Sequence, residues 1–445
     1  MARFPRGKRR LSSFQIIILG FAALILLGAL LLMLPISSRA RVVTPFHETL
    51  FTATSAACVT GLVVHDTASY WSAFGQAIIL LLIQIGGMGV VTVAVAFAKL
   101  SGKKISLMQR NTMQEAISAH QTGGIVQLTG FVIKATLMFE LLGMLAMLPV
   151  FCKQFGARGV WLSLFHSVSA FCNAGFDLMG SADAQYVSLT GYRGHPAVNL
   201  TLIALIVIGG IGFLTWEDVF THRHHLRRYR MQSKVILVTT AVLIFVPAVW
   251  FFCFDFSSLP RGERILGSLF QSVTPRTAGF NTADLTAMTG AGRCIIVVLM
   301  LIGGSPGSTA GGMKTTTAAV LFANMISVFR RREDPHFFGR RVASDAVRNA
   351  GTILMLYVTL FFGSALAISA IEGLSVGVCL FETASAVGTA GLSLGLTPDL
   401  GILSRCILMV LMFIGRVGGL TLIYAALAAK NEKLSKLPQE KIAVG

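Results

Sequence analysis

Long apolar runs alternate with short polar ones along the whole chain. Eight runs of about 20 residues or more are long enough to cross a bilayer as helices: 14–34, 73–98, 125–151, 198–220, 235–256, 294–328, 352–371 and 402–429. Between the members of each pair stands one stretch written four times: FTATSAACVTGL from Phe51, FHSVSAFCNAGF from Phe165, FQSVTPRTAGF from Phe270 and FETASAVGTAGL from Phe381. Each copy opens on Phe, passes through small and hydroxyl residues, and ends in a glycine followed by Leu or Phe. The third is one residue shorter. A copy is too short and too polar to span, so it predicts a half helix that dips in and turns back. The pattern predicts an all-α integral membrane protein of four span, pore-loop, span repeats, with eight crossings and four re-entrant half helices around one pseudo-fourfold pore.

The expected divisions are a basic tail (1–13), repeat 1 (14–110), repeat 2 (111–232), repeat 3 with a broken second span (233–332), repeat 4 (333–430) and a second tail (431–445). The return spans carry IGGMG from Ile85, IGGIG from Ile208 and IGRVG from Ile414. In the third repeat GGSPGSTAGG, Gly303 to Gly312, interrupts the helix, because clustered glycines and a proline weaken it.

At 54% hydrophobic and 13% charged residues, with a mean hydropathy of +0.74, a soluble protein is excluded. The net charge of +18 does not call for nucleic acid. With the N-terminus placed inside, 24 of the 37 Lys and Arg fall in cytoplasmic tails and connectors, as the positive-inside rule requires. Both termini are then cytoplasmic, in a multi-pass protein of the cell membrane. Seven cysteines without a CxxC pair read as packing residues rather than a disulfide framework.

A cation entering hydrocarbon must exchange its water for fixed oxygens, and rings of backbone carbonyls supply these without a full negative charge. The half helices aim their negative dipole ends inward, and glycine permits the backbone turn that follows. The candidate ligands are the carbonyls of Val59, Thr60 and Gly61; Asn173, Ala174 and Gly175; Thr277, Ala278 and Gly279; and Thr389, Ala390 and Gly391. The alternative is that each glycine only lets a loop pack tightly.

These filter segments, with the TPRTAGFN stretch from Thr274, the broken third return span and the IGR of the fourth repeat, resemble the Trk/Ktr/HKT superfamily of potassium transporters, and most of all its bacterial KtrB membrane subunits. The resemblance covers nearly the whole chain. It implies a potassium-channel-like pseudo-fourfold pore that passes K+, the only metal expected and one confined to the filter. No covalent or organic cofactor is implied, and Na+ as a coupling or activating ion stays open. It also implies a homodimer seated on a cytosolic nucleotide-binding regulatory ring of the KtrA kind, among membrane lipid.

The resemblance places an intramembrane gate on Gly303, Gly304, Ser305, Pro306, Gly307, Ser308, Thr309, Ala310, Gly311 and Gly312. A packing kink is the alternative. Arg416 stands where Gly87, Gly210 and Gly304 occur in the other units, and a charge at that depth is costly and functional by default. It either faces the pore as a barrier, holds the loop through its carbonyls, or pairs with a buried carboxylate. Lys314 shares the role or snorkels, and Lys134 snorkels.

Other motifs lack their context. GGSPG matches a hydrolase elbow without a preceding strand, and GSTAGGMKT is one residue off a phosphate loop. The basic connector with His222, His224 and His225 reads as solvated. An enzyme is not expected. Two other readings remain: an Na+ or unselective monovalent cation transporter of the same fold, and a broken-helix secondary transporter of a small organic solute.

Overall fold

The computed structural model describes residues 12–100, 107–117, 124–419 and 421. The basic tail Arg3–Arg10, the connector residues Lys103, Lys104 and Thr122, the last turns of the fourth return span and the tail from Lys430 lie outside the described residues.

The described chain is almost wholly helical. The first group holds α1 (Ser13–Met33), α2 (Phe46–Ala57), the one-turn α3 (Thr67–Tyr70), α4 (Ala73–Met88) and α5 (Val90–Leu100), followed by α6 (Leu107–Ile117). The second holds α7 (Ile125–Phe155), α8 (Arg158–Phe171), α9 (Pro196–Gly210) and α10 (Phe213–His222). The third holds α11 (Met231–Trp250), α12 (Arg261–Val273), α13 (Gly290–Leu301) and α14 (Thr315–Phe329). A small hairpin, β1 (His336–Phe337) and β2 (Arg340–Arg341), turns through Phe338 and Gly339 at positive φ, as a two-residue hairpin turn requires. The fourth group is α15 (Ser344–Glu372), α16 (Val376–Gly388) and α17 (Ile402–Val417).

By length and composition, four helices among the described residues can cross a membrane: α1, α7, α15, and α11 with the π turn Phe251–Asp255 that continues it. The number rises to six if the bent pairs α4–α5 and α9–α10 each count as one span. Their outward faces carry exposed apolar residues such as Phe245, Val246, Val249 and Met355. That is the arrangement expected where the surrounding solvent is hydrocarbon rather than water.

The return spans depart from expectation. Only the third was expected to break, and it does, between Leu301 and Thr315. The first and second also turn, by 96° and 100°. The last glycine of the IGxxG motif supplies these two corners: Gly89 and Gly212 stand at φ +86° and +94°, where a side chain is strained, and Gly418 of the fourth motif stands at +91°. The first glycine of the motif serves differently. A methyl on Gly86, Gly209 or Gly415 would strike the carbonyl oxygen of Ala57, Phe171 or Val387, so each return helix lies directly on the end of its own group's short helix.

The four short helices α2, α8, α12 and α16 form the centre. Each packs beside the long helix before it, and the return helix of each group packs on the short helix of the next: α4 on α8, α9 on α12, α13 on α16, and α17 back on α2. The opening phenylalanines Phe51, Phe165, Phe270 and Phe381 are buried together in one core. Burying a Phe side chain contributes about 1.5–3 kcal/mol relative to leaving it in water. The copied Phe thus anchors each short helix in this core.

Candidate functional site

Each short helix ends within a few residues of its glycine, at Ala57, Phe171, Val273 and Gly388. The chain then takes the same unusual path four times. Val59, Asn173, Thr277 and Thr389 lie at φ +57°, +58°, +73° and +51°, and two residues later Gly61, Gly175, Gly279 and Gly391 lie at +93°, +70°, +79° and +79°. Positive φ in β-branched Val and Thr is strained, and persists only where surrounding bonds fix it.

Those bonds are present. Thr60, Ala174 and Ala390 donate their N–H to the carbonyls of Ser55, Ser169 and Ser385, each at 2.8 Å, while in the shorter third copy Ala278 donates to Thr274 at 2.9 Å. The hydroxyl at the fifth position adds a second tie in three copies. Ser169 donates to Phe176 O at 2.7 Å, Thr274 to Phe280 O at 2.7 Å, and Ser55 accepts from the Gly61 N–H at 3.1 Å. The sequence shows hydroxyl residues in each copy, but assigns the fifth position no role. Their signal was recurrence at one position.

The four segments meet. A methyl on Gly61 would stand 2.5 Å from Ala174 O, one on Gly175 2.6 Å from Ala278 O, one on Gly279 2.9 Å from Ala390 O, and one on Gly391 would strike Thr60 O. The glycines therefore form a closed ring in chain order, with the carbonyls of Thr60, Ala174, Ala278 and Ala390 each against the glycine of the preceding segment. All twelve residues expected at the site come together here. Eleven are buried, and Gly391 is half-buried.

On one side of the ring lies a cavity of about 270 Å³ lined by the four glycines and by Asp66, Asp177 and Asp399. None of the three carboxylates was singled out from sequence, since the outer connections are not copied among the repeats. Asp66 caps α3 through Ser69 N at 2.8 Å and accepts from Tyr186 N at 3.1 Å. Burial pushes the Asp177 carboxyl up to about 6. The Met179 N–H opposes that rise, Asp66 adds to it, and Ser188 opposes it.

On the other side runs the segment 303–312. Asn173 Nδ2 donates to Thr309 Oγ1 at 2.9 Å, and that hydroxyl donates to Phe171 O at 3.0 Å. The Ser305 N–H reaches Gly210 O at 2.9 Å, the Gly312 N–H reaches Gly415 O at 3.0 Å, and Phe213 N donates to Gly307 O at 2.7 Å. Gly311 lies so near Thr389 that a methyl there would overlap its hydroxyl. The segment thus touches two of the four copied stretches and the ends of two return helices.

Arg416 donates to Thr309 O in the segment and to Gly86 O and Gly87 O at the end of α4, the last at 2.9 Å. Its hydrogen bonds go to carbonyls, and no carboxylate pairs with it among the described residues. Lys314 Nζ donates to Ala310 O at 2.9 Å and to Gly311 O at 3.5 Å. A second cavity, of about 260 Å³, lies beyond, lined by Ser308, Ala310, Lys314, Arg416 and Glu115 among others. Lys134 is exposed on the outer face of α7.

The chain matches a family model described as TrkH, cation transport protein, over residues 8–437. It is 38% identical to the potassium/sodium uptake protein NtpJ of Enterococcus hirae, with 99% of each chain covered. It is 35% identical to the Ktr system potassium uptake protein B of Bacillus subtilis, over 94% of this chain and 93% of that one. Among solved structures, the potassium transporter TrkH from Vibrio parahaemolyticus matches with a TM-score of 0.73 at 19% identity, covering 95% of this chain and 86% of that chain.

Proposed function

The chain belongs to the TrkH family of cation transport proteins, and from that premise we propose that it is the ion-translocating membrane subunit of a potassium uptake system. The observation that carries this reading is the closed ring of four glycines edged by backbone carbonyls. Four half helices end at the ring with the negative ends of their dipoles toward it, so a dehydrated monovalent cation is favoured there without a fixed negative charge.

The path runs from the outer cavity, where Asp66, Asp177 and Asp399 raise the local cation concentration, through the carbonyls of residues 59–61, 173–175, 277–279 and 389–391. It then meets the segment 303–312, which acts as an intramembrane gate held by Arg416 and Lys314. The membrane potential drives the ion inward, at about 2.3 kcal/mol per charge per 100 mV. In this reading the four groups make eight crossings with four re-entrant half helices, and both termini are cytoplasmic. By the resemblance of its filter segments, the protein is a homodimer with one pore per subunit on a cytosolic nucleotide-binding ring; the words "Ktr system" in its relatives' names fit a membrane subunit that works with partner subunits.

The relative named for both potassium and sodium makes an unselective pore the competing reading. K+ uptake from submillimolar medium, in bacterial cells stripped of their own uptake systems, separates the two. K+ uptake that is abolished by Gly391→Asp and not competed by Na+ supports the selective pore. Na+ entry at an equal rate favours the unselective one, and no cation flux from protein shown to be in the membrane refutes both.

A further inference from the structure

The four copies share a ring, yet differ at their second position, where Thr52, His166, Gln271 and Glu382 all lie buried on the short helices. Two of these side chains, His166 and Glu382, bond to the connection that follows their glycine. Glu382 makes the most complete set of bonds. Its Oε1 accepts from the Ser393 hydroxyl at 2.5 Å and from the Leu394 N–H at 3.1 Å, and its Oε2 accepts from the Thr397 hydroxyl at 2.8 Å. Ser393 and Leu394 follow Gly391 by two and three residues. In the second copy His166 receives one contact of the same kind, from the Leu178 N–H at 3.4 Å. In the first the corresponding brace starts one turn earlier, from Glu48 to His65 at 2.7 Å. In the third, neither polar end of the Gln271 side chain has a partner among the described residues.

We propose that Glu382 is a positioning residue for ion discrimination: through Ser393, Leu394 and Thr397 it fixes the outer lip of the fourth filter segment and so the place of the carbonyls at Ala390 and Gly391. Three donors converge on one buried carboxylate, and bonds to an ionised acceptor are about twice as strong as neutral ones. The braced connection also carries Ser393, Gly395 and Asp399 to the outer cavity. A carbonyl ring selects by how closely its oxygens are held, so loosening one quarter of its rim lowers selectivity before it stops conduction. The ring itself is strained at Thr389, whose positive φ depends on what holds both ends of the segment.

This inference rests on the reading of the chain as a potassium pore, and the test keeps the two apart. Uptake of K+ and its competition by Na+ are measured for the wild type, E382A, E382Q, E382D and the pair S393A/T397V, each normalised to the amount of chain in the membrane. Loss of one bond to a charged acceptor corresponds to about tenfold or more in an equilibrium. E382A is therefore expected to raise the K+ concentration for half-maximal uptake about tenfold and to let Na+ compete, with a smaller change in maximal rate. E382Q falls between E382A and wild type, and E382D partly restores discrimination. S393A/T397V leaves the carboxylate and its Leu394 bond in place, removes the two hydroxyl bonds and gives a loss in the same direction, which covers the case in which E382A does not fold. Unchanged half-saturation and unchanged Na+ competition in S393A/T397V, with or without a folded E382A, would overturn the inference while leaving the pore intact. A wild type that carries no cation overturns the functional reading beneath it.

Discussion

Arg416 offers a direct test of whether the segment 303–312 is held in place as a gate. Its guanidinium bridges the segment at Thr309 O to two carbonyls at the end of α4, Gly86 O and Gly87 O. A hydrogen bond from a charged donor is worth about 1.5–3 kcal/mol, or about 10- to 150-fold in an equilibrium. Only the bond to Thr309 ties the segment itself, so Arg416→Ala is expected to shift the balance toward a displaced segment by one such factor rather than three. Lys314 holds the neighbouring carbonyl of Ala310, so the two effects should not add in the double variant. The assay is Rb+ influx into proteoliposomes of purified protein. Arg416→Lys separates two readings, since lysine keeps the charge but lacks the planar fork that reaches two places at once. A bridge predicts that Arg416→Lys conducts like Arg416→Ala, well above wild type. A simple electrostatic barrier predicts that it conducts like wild type. Unchanged flux in both variants, with the protein monodisperse and thermally stable, would refute any part for Arg416 in closing the path.

Other outcomes follow from single positions. Gly391→Ala brings a methyl against Thr60 O, whereas in Gly279→Ala it stands 2.9 Å from Ala390 O; both meet positive φ, at a cost of about 1–2 kcal/mol, so K+ uptake should fall further in the first. At the bends, Gly212→Ala places its methyl 2.6 Å from Pro306 O while Gly89→Ala meets nothing nearer than 3.8 Å, and melting in detergent should drop more for Gly212→Ala, with Gly89→Ala losing only about 1–3 kcal/mol to backbone strain. The Asp177 carboxyl, raised by burial from 3.8 to about 6, takes up a proton more readily in the folded chain than in the unfolded one. Its destabilising effect is therefore present above pH 6 and relieved as pH falls from 6 toward 3.8, while the outer cavity loses one negative charge. Uptake at low K+ should accordingly decline through pH 6, and Asp177→Asn should flatten that step.

Much of the centre was legible because it was written four times. Repetition marked the short helices and the glycines, and aligning the IGxxG motifs set Arg416 beside positions occupied by glycine. The bends were not legible. A lone glycine is tolerated inside an apolar helix, and nothing local distinguishes Gly89 or Gly212 from one that merely packs. Their φ values do. The contact of Asn173 with Thr309 joins residues 136 apart in sequence, and no local pattern announces it. The outer acids Asp66, Asp177 and Asp399 escaped notice because each sits on a connection of its own length. Glu382 was in plain view within a copied motif, but its importance depends on Ser393 and Thr397 folding back onto it.

The ring closes between its first and last members. Gly391 packs on Thr60 O, and Arg416 reaches Gly86 across 330 residues of sequence. No partial product of the ribosome that stops short of Gly391 can therefore contain the finished ring. After the first group enters the bilayer, the carbonyls beyond α2 must wait for nearly the entire chain to be made before the neighbour that completes them arrives. Such long-range closure is slow and leaves polar backbone uncovered in the interval. The order of synthesis thus makes the C-terminal quarter the keystone, and a chain cut before Phe381 is expected to be degraded rather than to conduct poorly.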